Sequence, residues 1–294
     1  LLAGGTDLLP SMKQGLFTPV SLVALAGLPE LTGVRVVDGG LRVGAMTSLR
    51  ELAIHPHVNA RFPALALAAR GVATSTIQRM GTLGGNLMLD TRCRFYNQSH
   101  FWRGALDHAA GGCLKCSDAG ACHVAPKGQG CYAAHSADTV PVLWLRDARV
   151  ELTSADGTRM VPLSRLYDGS DGRWWLRTRP GEILVAVHLP RPAGQVVQRK
   201  LRSRGAIDYP LLLSAVKLDE AGGRVVISSV GPAPLEIPEV AGLLAERRFD
   251  EVAELASKAV QPLSTHVRPA WWRKRMVRVE VQRALEAALA LHVG

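Results

Sequence analysis

The chain has 294 residues, of which 47% are hydrophobic and 20% charged, and a net charge of +10. This is the composition of an ordered protein of two domains, not of a disordered or fibrous one. No apolar run reaches the roughly 20 residues that span a bilayer, so no membrane partner is expected. The excess charge is spread along the chain, without the basic stripe and stacking aromatics that a nucleic-acid surface requires.

The opening "LLAGGTDLLP" has no initiating Met and reads as the end of a buried strand entering a turn. A segment before it, an N-terminal strand or helix, is therefore expected to be missing. From 20 to 54, "SLVAL" and "GVRVVDGGLRVG" give short β-type runs around the turn "DGG", followed by Thr47 as N-cap of a helix with Glu51 in its first turn. "FPALALAARGVA" (62–73) is helical, "STIQRMGTLGGNLMLD" (75–90) reads as a loop, and "DARVELTSADGTRMVPL" (147–163) as a hairpin around Asp156-Gly157.

"GEILVAVHLPRP" (181–192) alternates as a strand and ends at Pro190 and Pro192, which places a domain boundary near 192. Beyond it, "VVQRKL", "LLLSAVKL" and "GRVVISSV" predict an antiparallel sheet, and helical patterns near 248–260 and 271–291 close the chain. The basic stretch 268–283 is either a solvated helix face or a docking surface for an acidic partner.

All five cysteines fall between 93 and 131, in the spacing C-x19-C-x2-C-x5-C-x8-C. A disulfide framework would scatter its cysteines over distant segments, so this cluster points to a metal site, a reducing compartment and a cytoplasmic location. Zinc sites more often pair two C-x2-4-C knuckles, and only Cys113 and Cys116 make one, so an iron–sulfur centre suits the irregular spacing better. His100, His108, His123 and His135 lie nearby and read by default as solvent-facing loop residues. A basic zinc or iron–sulfur module that binds nucleic acid stays open as an alternative on this pattern.

Two loops repeat one recipe: Gly4-Gly5-Thr6-Asp7 after "LLA", and Thr82-Leu83-Gly84-Gly85-Asn86. Paired glycines let backbone N–H groups approach an anion, and the threonines add hydroxyl donors. Neither loop matches the G-x-G-x-x-G or the P-loop pattern, which disfavours a nicotinamide dehydrogenase or a P-loop enzyme.

The segments "LLAGGTDLLPSMKQG" and "TIQRMGTLGGNL" resemble the pyrophosphate-binding loops of the FAD-binding subunits of molybdenum hydroxylases, the xanthine oxidase and carbon monoxide dehydrogenase family. The resemblance covers essentially the whole chain. It implies an α+β protein with a two-lobed FAD-binding domain of the PCMH/VAO type over 1–192 and a C-terminal flavoprotein domain over 193–294, built on a three-stranded antiparallel sheet and helices. In that family "GGN" is followed shortly by the "S-x-x-D" stretch; here about 91–134 intervenes and carries the cysteines. With "DTRC", "CLK", "CHV" and "CYA", this insertion is similar to that of the β subunit of 4-hydroxybenzoyl-CoA reductase, which carries an extra [4Fe–4S] cluster.

The resemblance places Ala3, Gly4, Gly5, Thr6 and Asp7 on one side of the FAD diphosphate and Thr82, Gly84, Gly85 and Asn86 on the other. Asp138 falls toward the flavin's ribityl or ring side, and Leu184 and Lys200 at further FAD contacts; a solvated strand lysine is the competing reading of Lys200. Cys93, Cys113, Cys122 and Cys131 become the cluster ligands, with Cys116 spare. The implied activity is that of an oxidoreductase subunit with no catalytic residue of its own. It would work with a molybdenum-cofactor subunit and a [2Fe–2S] subunit in a dimer of heterotrimers, taking electrons from ferredoxin to remove the hydroxyl of 4-hydroxybenzoyl-CoA. Another molybdenum hydroxylase, with a different substrate or electron direction, is the nearest alternative.

Overall fold

The computed structural model describes residues 1–107, 113–117, 121–220 and 222–293; His108 lies outside them. Two antiparallel sheets organise the chain. The first has the order β1-β2-β5-β3-β4, from β1 (Val34–Val37), β2 (Gly40–Gly44), β3 (Arg149–Ser154), β4 (Gly157–Pro162) and β5 (Ile183–Leu189). The β1–β2 turn is Asp38-Gly39, both at positive φ (49° and 77°), the backbone that a two-residue hairpin needs. β5 sits between β2 and β3, joining segments far apart in sequence.

Short helices Leu49–Ile54, Pro56–Arg61 and Pro63–Arg70 fill one core with Leu52, Phe62 and Leu65. Pro56 and Pro63 each stand in the first turn, where a missing N–H costs nothing. The first cap is Ser48, one residue beyond the expected Thr47: Ser48 Oγ accepts from the Glu51 N–H at 3.0 Å, while the Thr47 hydroxyl turns to Gly33 O. The stretch expected as a loop over 75–90 holds two short helices, Ser75–Met80 and Leu83–Leu87, capped by Thr74 and Thr82. The opening residues make a single parallel bridge, Leu2 to Ala24, in place of a buried strand, and Leu1 is exposed.

The second sheet runs β6-β7-β8-β9, from β6 (Gln195–Leu201), β7 (Leu212–Asp219), β8 (Gly222–Ser228) and β9 (Leu235–Glu236). A two-residue fourth strand thus joins the three expected ones. Alternation along β7 and β8 divides their side chains between two cores. Ala215 and Val226 face helix Val140–Leu145 and the first core; Leu212, Val216, Val225 and Ile227 face the helices Phe249–Ala259 and Ala270–Val293. Because one sheet serves both cores, it fixes the two halves against each other.

The insertion leaves and rejoins the chain through an antiparallel bridge between Arg92 and Ala134, with N–H to O distances of 2.7 Å in both directions. Its helix His100–Asp107 is held by Arg103, a buried cation, against the end of the helix Leu8–Lys13 that follows the first glycine loop, where it donates to Gln14 O at 3.3 Å and Gly15 O at 2.9 Å.

Candidate FAD cleft and thiol loop

A cleft of about 560 Å³ opens where the two glycine loops meet, and all twelve residues expected at FAD line it: Ala3, Gly4, Gly5, Thr6, Asp7, Thr82, Gly84, Gly85, Asn86, Asp138, Leu184 and Lys200. Residues that the sequence argument left unassigned also line it, among them Asp90, Ser136, Trp175 and Tyr209. They come from segments whose only shared property is their place in the fold, so no local pattern pointed to them.

The four glycines have different reasons to be glycine. A Cβ on Gly4 would run into the Met80 carbonyl, and one on Gly84 would lie 2.8 Å from Ala45 Cβ, so these two let the loops pack on protein. Gly5 stands at φ +70°, which disfavours side-chain-bearing residues. A Cβ on Gly85 would lie 3.0 Å from Thr82 Oγ1, the atom that accepts the Gly85 N–H at 3.0 Å to cap the helix. The Thr82 oxygen is thus engaged as an acceptor, and its O–H remains to donate.

The polar wall is built by long-range contacts. Asn86 Oδ1 accepts from the Thr139 hydroxyl at 2.7 Å, tying the second loop to the segment that carries Asp138. Asp138 is buried and pairs with Lys200 at 2.8 Å, and Lys200 also donates to Gly71 O at 2.8 Å. Lys200 is therefore a wall residue, not a solvated strand lysine. Burial pushes the Asp138 carboxyl up to about 6, with Lys200 pulling the other way. Asp7 forms an ion pair with Arg92 at the insertion's neck. Two glycine loops beside an otherwise largely apolar wall fit a cofactor with an anionic diphosphate and a flat apolar ring.

Four thiols gather on the insertion's inner side. Cys93, Cys122 and Cys131 are buried, Cys113 is half-buried, Cys116 is exposed, and none is in a disulfide. Charge on Cys113 and on Cys122 acts on both Cys93 and Cys131, so the four expected ligands lie within electrostatic reach of one another. Backbone N–H groups turn toward them: Phe95 and Tyr96 toward Cys93, Lys115 and Cys116 toward Cys113, Ala133 toward Cys131.

Burial pushes the Cys93 thiol up and that of Cys131 up to about 12, while a hydrogen bond from Cys116 draws Cys113 down to about 6. Among the described residues no three His, Cys, Asp or Glu side chains are drawn together tightly enough to hold a metal ion. Thiols with backbone N–H groups aimed at sulfur are a donor type that an iron–sulfur cluster can take.

The histidines divide. His100 is exposed, and His123 is half-buried with its ring 5.3 Å from Phe95. His135 departs from the solvent-facing expectation: it is fully buried, 4.8 Å from the Tyr167 ring, because the alanine-rich run around it enters the core. Part of the basic stretch 268–283 is also internal. Arg273 is wholly buried, and Glu280 answers Arg199 at 2.7 Å and Arg283 at 3.0 Å.

Residues 1–192 match the family described as the FAD binding domain in molybdopterin dehydrogenase. The chain is 33% identical over 244 residues, 80% of its length and 76% of the relative's, to the aldehyde oxidoreductase FAD-binding subunit PaoB of Escherichia coli K12. It is 29% identical to the carbon monoxide dehydrogenase medium chain of Afipia carboxidovorans, covering 98% of this chain and 88% of that one. A solved carbon monoxide dehydrogenase from Oligotropha carboxidovorans superposes with a TM-score of 0.77 at 26% identity, over 98% of this chain and 89% of the other. No described helix is long and apolar enough to cross a membrane. With a cleft that suits the cofactor and matches that run the length of the chain, the protein belongs to the FAD-binding medium-subunit family of the molybdenum hydroxylases.

Proposed function

We propose that this chain is the electron-transfer subunit of a molybdenum-dependent oxidoreductase, holding FAD between the two glycine loops and a [4Fe–4S] cluster on Cys93, Cys113, Cys122 and Cys131. The observation that carries the reading is the cleft lined by both glycine loops, beside a cysteine-bearing insertion whose neck is tied to the cleft wall. FAD supplies one- and two-electron chemistry and the cluster one-electron transfer; the residues of this chain bind, orient and shield both. Gly5, Thr82 and Gly85 present the diphosphate site, Asp138 and Lys200 the polar wall, and Leu184 the apolar one. Cys116, exposed beside Cys113, is the thiol left over.

The substrate belongs to a partner. A molybdenum-cofactor subunit and a [2Fe–2S] subunit complete the assembly, as a dimer of heterotrimers, in a reducing compartment. The relative at 33% identity is named an aldehyde oxidoreductase, which favours an aldehyde and electrons leaving through this chain. The cysteine insertion favours the second reading, 4-hydroxybenzoyl-CoA reduction with ferredoxin as donor. Assaying the purified complex on an aromatic aldehyde and on 4-hydroxybenzoyl-CoA separates the two.

The subunit itself is tested by anaerobic purification. The expected protein shows flavin bands over broad iron–sulfur absorbance, with about four iron and four sulfide per chain. Cys116→Ser should keep the cluster's electron paramagnetic resonance signal and Cys113→Ser should lose or alter it. A colourless zinc protein with salt-sensitive DNA binding would overturn the reading.

A further inference from the structure

Lys115 lies in the short helix Leu114–Ser117, between Cys113 and Cys116, yet its side chain is only 5% exposed. Its ammonium reaches Asp90 Oδ1 at 2.7 Å, Thr91 Oγ1 at 2.7 Å and Gly172 O at 2.8 Å. Those three acceptors match the three N–H donors of a lysine. The same nitrogen lies 4.9 Å from the centre of the Tyr96 ring and 4.6 Å from that of Trp175. A cation placed so deeply is held by every group around it and is costly to leave unpaired.

The contacts lead in two directions. Asp90 and Trp175 both line the FAD cleft. On the other side the Gly172 N–H donates to Cys131 O at 2.7 Å, and a Cβ on Gly172 would lie 3.1 Å from Cys131 Sγ. One ammonium therefore touches the wall of the cleft and the Gly172 peptide, whose N–H holds the Cys131 carbonyl. The Trp175 indole N–H, buried without a partner among the described residues, marks the same wall as a place where an acceptor is wanted.

The geometry points to Lys115 as a positioning residue that couples occupancy of the thiol site to occupancy of the FAD cleft and sets a fixed positive charge between them. The inference rests on the cluster and FAD sites proposed above. Filling the thiol site holds Cys113 beside Lys115, and Lys115 holds Asp90 and Trp175 in place for FAD. Thermodynamic linkage requires the converse with the same factor. A positive charge near both centres also favours their reduced forms, so its removal should shift both potentials downward.

The test uses the full chain, loaded with iron and sulfide and titrated with FAD by fluorescence quenching. Lys115→Met, which keeps the length and loses the charge, should bind FAD about ten-fold more weakly. Its cluster should titrate at a more negative potential in a redox titration followed by electron paramagnetic resonance, a readout that looser packing alone does not predict. Cluster-free Cys131→Ser should show the same weakening of FAD binding, and adding Lys115→Met to it should weaken binding no further.

Asp90→Asn leaves the lysine in place and should weaken FAD binding in the same direction by a smaller factor. It carries the test if the methionine variant does not fold. Wild-type protein that binds FAD but no iron would overturn both the proposed function and this coupling. Wild-type protein with both cofactors, beside variants unchanged in FAD affinity and potential, would overturn the coupling alone.

Discussion

His135 shows what burial does to a single residue here. Inside the core beside Tyr167, its imidazole is pushed down to about 4 from an ordinary value near 6.5, because desolvation penalises the charged form; the Leu87 backbone opposes this weakly. The folded value is depressed, so the stability from keeping the ring neutral is fully present above pH 6.5 and is lost as pH falls through 4. The loss amounts to about 3 kcal/mol over that window. His135→Phe keeps an aromatic ring in the site and has nothing to protonate. Denaturant unfolding at pH 7 and pH 4 should show the wild type losing about 3 kcal/mol more than the variant; equal losses would show that the buried ring does not control acid stability.

At the scale of elements, the second glycine loop is a helix start whose cap and proposed cofactor site share one atom. Gly85→Val would crowd Thr82 Oγ1, opening the cap and filling the space before the loop. FAD content should fall at least ten-fold, as expected for a loop that needs close backbone approach. Thr82→Ala removes the cap acceptor and the hydroxyl donor together and should cost about 1 kcal/mol of stability. The insertion is likewise an element with defined attachments. Arg92 meets Asp7, Arg103 meets the carbonyls that follow the first loop, and Lys115 meets Asp90. Three cations thus turn a long insertion into part of the cleft's surroundings.

For the whole molecule, Arg273 joins parts that no local rule would join. Wholly buried, it donates to Leu211 O at 2.9 Å, Leu263 O at 2.8 Å and Ser229 O, so the long C-terminal helix holds the start of β7, the end of β8 and the loop before the helix. That loop also meets the cysteine region, since Arg94 N–H donates to Thr265 O at 2.8 Å. Burial draws the guanidinium down to about 10, which leaves it charged at neutral pH. Arg273→Leu would leave these carbonyls without their donor and should cost about 3 kcal/mol or more. Guanidinium unfolding checks this, and a loss under about 1 kcal/mol would mean the carbonyls find water instead.

The sequence by itself determined what depends on near neighbours. Alternation marked β3 to β8, "DGG" marked the first hairpin, the apolar periodicity marked the two last helices, and paired glycines beside threonines marked both loops of the cleft. Each is set by backbone geometry within a few residues. The short caps were less legible, because Thr47 and Ser48 are chemically alike and only the path of the chain decides which hydroxyl turns inward. Tertiary structure alone decided the rest: that Lys200 faces Asp138 and not water, that His135 leaves the surface, that Lys115 reaches from the thiol loop to the cleft, and that Arg273 is a core residue in a basic helix. The spacing of charges along a chain says nothing about desolvation or about partners brought near by the fold, and those two terms fix whether a lysine, histidine or arginine is surface, wall or clamp.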